Sequence, residues 1–137
     1  MALLGGLPAL VALGGPARAD DPALTVTLES LETNGSTCLG AFRVDNTLGR
    51  DIGFMTLEVA VQRRDGKPGR LFALALMPVR DGAHPARATL PVLDSPCSVI
   101  SDLLINRVTA CRDRSTNPMD CDTPLRAASE IAIPLTK

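Results

Sequence analysis

The sequence predicts an all-β sandwich. Apolar residues recur along most of the chain with a period near two rather than 3.6, which puts them on one face of a strand and their polar neighbours on the other. The apolar segments are short, and clusters of Gly, Pro, Asn and Asp separate them. Four cysteines, in a chain whose start reads as an export leader, supply covalent staples for a core with only three Phe and no Trp or Tyr.

The leader is the run MALLGGLPALVALGGPARA. Residues 2–13 are mostly apolar, Gly14, Gly15 and Pro16 break a helix, and Ala17 and Ala19 form an A-x-A site before Asp20 and Asp21. Its only basic residue is Arg18. Residues 1–19 are therefore expected to be a cleaved signal peptide and residues 20–137 the mature domain. The glycines and prolines make the run poor material for a buried helix or a membrane span, and no later apolar run reaches spanning length. No Cys stands at the cleavage site to carry a lipoprotein anchor.

Removing 19 residues from 137 leaves 118, enough for one core and too few for two domains. Only Arg18 is lost among the charged residues, so 14 basic residues become 13 against 15 acidic, a formal charge of −2. Without a basic block or stacking aromatics, composition argues against nucleic acid and anionic lipid as partners.

The first strand is expected over residues 24–28, with Leu24, Val26 and Leu28 inward, before a turn at Thr33-Asn34-Gly35-Ser36. The second covers residues 38–44, with Cys38, Phe42 and Val44 inward and Asn46-Thr47-Leu48-Gly49 as the next turn. The third, residues 54–62, alternates most cleanly, Met55, Leu57, Val59 and Val61 facing in. After Asp65-Gly66-Lys67-Pro68-Gly69, residues 71–77 are almost wholly apolar, so they read as a strand without an assigned facing. Ala88, Leu90 and Val92 form the inner face of a fifth strand, which Pro91 marks as an edge. The sixth, residues 103–111, has broken parity at Leu103-Leu104-Ile105, the mark of a bulge or of burial on both faces. Ile131, Ile133 and Leu135 make a seventh, with an edge-type Pro134. Seven short strands in about 110 residues fit an immunoglobulin-like antiparallel sandwich.

Residues 41–92 contain FRVDNTLGRDIGFMTLEVAVQRRDGK, an apolar strand, a Pro/Gly loop and another alternating strand. This stretch resembles the FxLYD-like family of exported immunoglobulin-like domains, in a strand ending at Asn46 and a strand closing at Asp65-Gly66. The Tyr of the motif that names the family is absent, and the four cysteines are additional. The resemblance implies a small accessory or binding module.

Four cysteines permit three pairings. In seven sequential antiparallel strands, the second and sixth begin at the same pole, so Cys38 is expected to pair with Cys97. Cys111 ends the sixth at the other pole, where residues 112–120 lead back to Cys121, its expected partner. Joining Cys97 to Cys111 would need a turn within residues 98–102, because an extended segment at about 3.3 Å per residue far exceeds the roughly 7 Å Cα limit. No pair has C-x2-C spacing, which disfavours zinc and redox roles.

No nucleophile elbow surrounds Ser95, Ser98 or Ser101, and Asp81 with His84 forms no recognisable catalytic set. The expectation is a non-catalytic module without a cofactor, periplasmic or secreted, that binds another envelope protein. Its surface would be the pole gathering the second-to-third, fourth-to-fifth and sixth-to-seventh connections: Asp45, Asn46, Arg50 and Asp51; Arg80, Asp81 and His84; Arg112, Asp113, Arg114, Asn117 and Asp120. The alternative is a periplasmic copper-binding protein using Met55, Met77, His84 and Met119, since thioether and imidazole suit Cu(I).

Overall fold

The computed structural model describes residues 21–137, so the expected signal peptide and its cleavage site lie outside the described residues. Alternation decides the elements. In β2 (Thr37–Asn46) every second residue is buried, and β3 (Phe54–Arg63) keeps the same rhythm as far as Val61. The expected inward residues Leu24, Val26, Leu28, Cys38, Phe42, Val44, Met55, Leu57, Val59 and Val61 are all in the core.

The remaining strands are β1 (Leu24–Asn34), β4 (Arg70–Leu76), β5 (Ala86–Leu93), β6 (Ile100–Arg112), β7 (Leu125–Ser129) and β8 (Leu135–Thr136), with one 3-10 turn at Cys97–Val99. They form two four-stranded sheets, ordered β5-β2-β1-β7 and β4-β3-β6-β8, around a shared apolar core. Phe42 of one sheet meets Phe72 of the other, ring centroids 5.9 Å apart. Among the described residues, no helix is long and apolar enough to cross a membrane.

Bulges explain where alternation stops being readable. β1 runs six residues past Leu28 because Glu29 is an extra residue in the β1–β2 ladder: Leu28 faces Phe42 and Ser30 faces Ala41. The bulge shifts the parity, so Leu31 continues the inward row despite its odd spacing from Leu28. β1 and β2 then join through Gly35-Ser36, where Gly35 takes φ 66°, as the first central residue of a type II′ hairpin requires. β6 has three register shifts against β3, and Ser101, Asn106 and Thr109 are its extra residues. β4 resolves into Phe72, Leu74 and Leu76 inside, with Leu71, Ala73 and Ala75 exposed. β5 is an edge strand, in accord with Pro91.

The last part of the chain corrects the sequence reading. Among the described residues there are eight strands rather than seven, and two pairings are parallel: β1 with β7 and β6 with β8. Ile131 and Ile133 do not form a strand with Leu135. They lie half-buried in the crossover that carries the chain from the first sheet to the second, packed against the core. Ser129 holds this crossover, its hydroxyl donating to Ile133 O at 2.6 Å.

Both expected disulfides are present, Cys38–Cys97 with Cα atoms 4.9 Å apart and Cys111–Cys121 with Cα atoms 6.2 Å apart. The first ties β2 of one sheet to the turn that enters β6 of the other. The second closes the loop after β6.

Candidate functional site

Three connections meet at one pole, residues 47–53, 77–85 and 113–124, and Ala23, just before β1, lies beside them, its carbonyl accepting Thr47 N. Asn46 ends β2 on its inward parity and is only 1% exposed. A buried amide needs partners, and Asn46 has three. Its Nδ2 donates to Arg50 O at 2.9 Å and Val79 O at 3.0 Å, while Oδ1 accepts Leu48 N at 2.9 Å. The residue thereby ties the first loop to the second. Ile52 and Val79, both fully buried, exchange backbone hydrogen bonds of 2.9 and 2.8 Å and close this end of the core.

The carboxylates of the pole turn toward its own backbone. Asp81 Oδ1 accepts Gly49 N at 2.8 Å, and Asp51 Oδ1 accepts Asp81 N at 2.9 Å. Asp51 also faces Arg114 at 3.3 Å, and Arg50 lies 3.8 Å from Asp113. The first and third loops touch at Gly53, whose N–H donates to Arg112 O at 2.8 Å. A Cβ there would lie 2.6 Å from Asp113 O, so the contact requires glycine.

Within the disulfide-closed loop, Asp113 Oδ1 accepts the N–H groups of Asn117 and Ser115, each at 2.9 Å. These bonds, led by that from Asn117, hold its carboxyl below the usual Asp range. Asp120 is lowered likewise, first by the Thr123 hydroxyl and then by backbone N–H groups. The Arg112 guanidinium donates to Thr116 O at 3.1 Å.

The acidic oxygens are largely occupied by loop N–H groups, whereas the side chains of Arg50 and Arg114 are each 57% exposed and Arg80 and Arg112 are also exposed. Arg80 and His84 line a shallow groove of about 230 Å³ with Pro78, Pro85 and Ala86. A second groove of about 330 Å³ runs beside the disulfide, between Val108 and Arg112 on β6 and residues 118–122.

Two expected members do not belong to this surface as contact residues. Asp45 has the opposite parity from Asn46 and pairs with Arg43 at 2.9 Å on the outer face of the first sheet, where Arg43 also meets Glu29 and Glu130. Asn46 is at the pole but enclosed, so it shapes the surface without being part of it. Sequence reading missed Ile52, Gly53 and Val79. Isolated apolar residues in otherwise polar loops were the available signal for the first and last.

The four expected metal ligands differ widely in exposure. Met55 is fully buried between the sheets, Met77 is 72% exposed, His84 is exposed, and Met119 is half-buried against the core. Met55 and Leu76 are paired and both inward, so Met77 starts from the opposite face. Among the described residues, no group of three or more His, Cys, Asp or Glu side chains is placed to hold a metal ion.

No protein-family model, curated protein or solved structure matches the chain.

Proposed function

We propose that this chain is an exported, immunoglobulin-like, non-catalytic module of the bacterial envelope, and that its loop pole binds an acidic segment of another protein. One observation carries the reading: three loops are fastened to each other through Asn46, Asp51, Asp81 and Asp113, and the exposed side chains of Arg50, Arg80, Arg112 and Arg114 crowd the same pole, Arg50 and Arg114 each held by one ion pair, to Asp113 and Asp51. A pole already ordered before contact loses little conformational freedom on binding, and guanidinium groups recognise carboxylates in paired geometry.

Connectivity supports the immunoglobulin-like description. β2 lies between β1 and β5, and β3 lies between β4 and β6, the arrangement of the A, B, E and C′, C, F strands in such domains. The FxLYD-like resemblance rests on the sequence alone, on Asn46 and Asp65-Gly66, which lie at the end of β2 and after β3. Export is supported by two disulfides, which form and persist in oxidising compartments.

The test is a photo-cross-linking residue at Arg80 in the full gene product, expressed with its own leader in its host. One partner protein should be captured, less so at high salt, and capture should be lost in Arg50→Glu/Arg114→Glu. Equal capture from a probe at Arg107, on the far sheet, would refute recognition by the pole.

A further inference from the structure

β4 is an edge of the second sheet: β5 of the first sheet lies beside it without a ladder between them, and Arg70 at its start pairs with Asp94 just past β5 at 3.3 Å. The other edges carry protection of the kinds that block strand addition: β5 contains Pro91, β8 has two residues and follows Pro134, and β7 is five residues long with Arg126 inside it. β4 has no proline and no charge between Leu71 and Leu76. The exposed large apolar residues among those described are Leu71, 56% exposed, and Met77, 72% exposed. They sit at the two ends of this one strand.

The segment is also complementary to itself in side-chain size about Ala73. In an antiparallel pairing of two copies centred there, Leu71 faces Ala75, Met77 faces Gly69, and Ala73 faces its own copy. Each exposed bulky side chain thus meets a small one, on the face that the first copy leaves bare. Inward, Phe72 faces Leu74. Pro68 and Pro78 fall opposite each other just outside the paired stretch, so the ladder ends together on both chains. The only charged residue in it, Arg70, lies opposite Leu76, and the two Arg70 copies are about 20 Å apart at 3.4 Å per residue.

We infer that two copies of this chain associate through β4, edge to edge and antiparallel about Ala73, joining their second sheets into one eight-stranded sheet. The contact is isologous and consumes the free edge of each copy, so it closes as a dimer rather than growing into a fibre. Because the paired strands run in opposite directions, the two loop poles point to opposite ends of the assembly.

The experiment uses the full gene product, processed and purified from the host envelope, in sedimentation equilibrium across the micromolar range. The expected result is twice the mass of one chain. Ala73→Asp places two carboxylates face to face at the axis and should give monomers with unchanged circular dichroism. Ala73→Cys should yield a covalent dimer bridged at position 73, whereas Thr89→Cys on the β5 edge should not. A monomer throughout that range, or a dimer that survives Ala73→Asp and does not bridge at position 73, overturns the inference. Capture of a different envelope protein by Ala73→Cys in a monomeric chain would also overturn it, in favour of a foreign strand.

Discussion

Asn46 shows how one amide organises the pole. Two of its three hydrogen bonds shape its own loop, at Leu48 and Arg50, the third reaches Val79 in the next loop, and its burial makes any unpaired partner costly. Asn46→Ala should lower stability by about 2 kcal/mol in urea unfolding and speed amide exchange at Leu48. Asn46→Asp should cost more, because a carboxylate would face the carbonyls of Arg50 and Val79. Equal stability of Asn46→Ala and wild type would remove this residue from its organising role. Parity made Asn46 legible as inward-facing, but the partner carbonyl of Val79 lies 33 residues away and no local signal announces it.

Acid acts at the same scale. The side-chain hydrogen bond from Arg63 lowers Asp65 to about 2, from an ordinary 3.8, and Asp113 and Asp120 are lowered as well. A carboxyl with a depressed folded-state pKa binds fewer protons folded than unfolded, so its contribution is present above its unfolded value and lost as pH falls toward its folded one. The melting temperature should therefore be insensitive to these groups near neutrality and fall between about pH 4 and pH 2. The Asp113→Asn variant should show a smaller acid slope than wild type; an unchanged slope would exclude Asp113 as a contributor.

Among the elements, the strands with clean alternation were legible and those interrupted by bulges were not. Leu28 and Leu31 are three apart, which reads as the end of a strand until Glu29 is recognised as an extra residue. The pattern at Ile131, Ile133 and Leu135 has a strand's period but serves a crossover, since period reports which side chains are covered and not which backbone groups are paired. β7, with the sequence LRAAS, has little alternation to read, and its parallel partner β1 is about a hundred residues away. The disulfides were legible because strand direction depends only on strand count, and the errors came after the sixth strand. The bridges differ in loop size, 59 residues against 10. Loop-closure entropy gives about 4 kcal/mol for Cys38–Cys97 and about 3 for Cys111–Cys121. Denaturant unfolding of the two double Cys→Ala variants should rank them in that order, while only loss of Cys111–Cys121 should loosen the pole. The reverse ranking would mean that folded-state strain, not chain entropy, decides their contributions.

For the whole molecule, the sandwich acts as a mount. Two sheets fix the ends of three loops, the second disulfide closes the longest of them, and the acidic side chains lock them together, leaving arginines outward at one end. The candidate loops were legible from strand order, whereas the hydrogen bonds that fix the carboxylates of Asp51, Asp81 and Asp113 were not, because they depend on which N–H groups each loop presents to them. All of this rests on oxidation outside the cytoplasm, the reading proposed from the expected leader and the two disulfides. Intact mass and non-reducing peptide mapping of the protein from the host envelope test that point most directly. The account predicts a chain starting at Asp20, lighter by four hydrogens, with Cys38 linked to Cys97 and Cys111 to Cys121. A chain recovered only from the cytoplasm with residues 1–19 attached and four free thiols would contradict it.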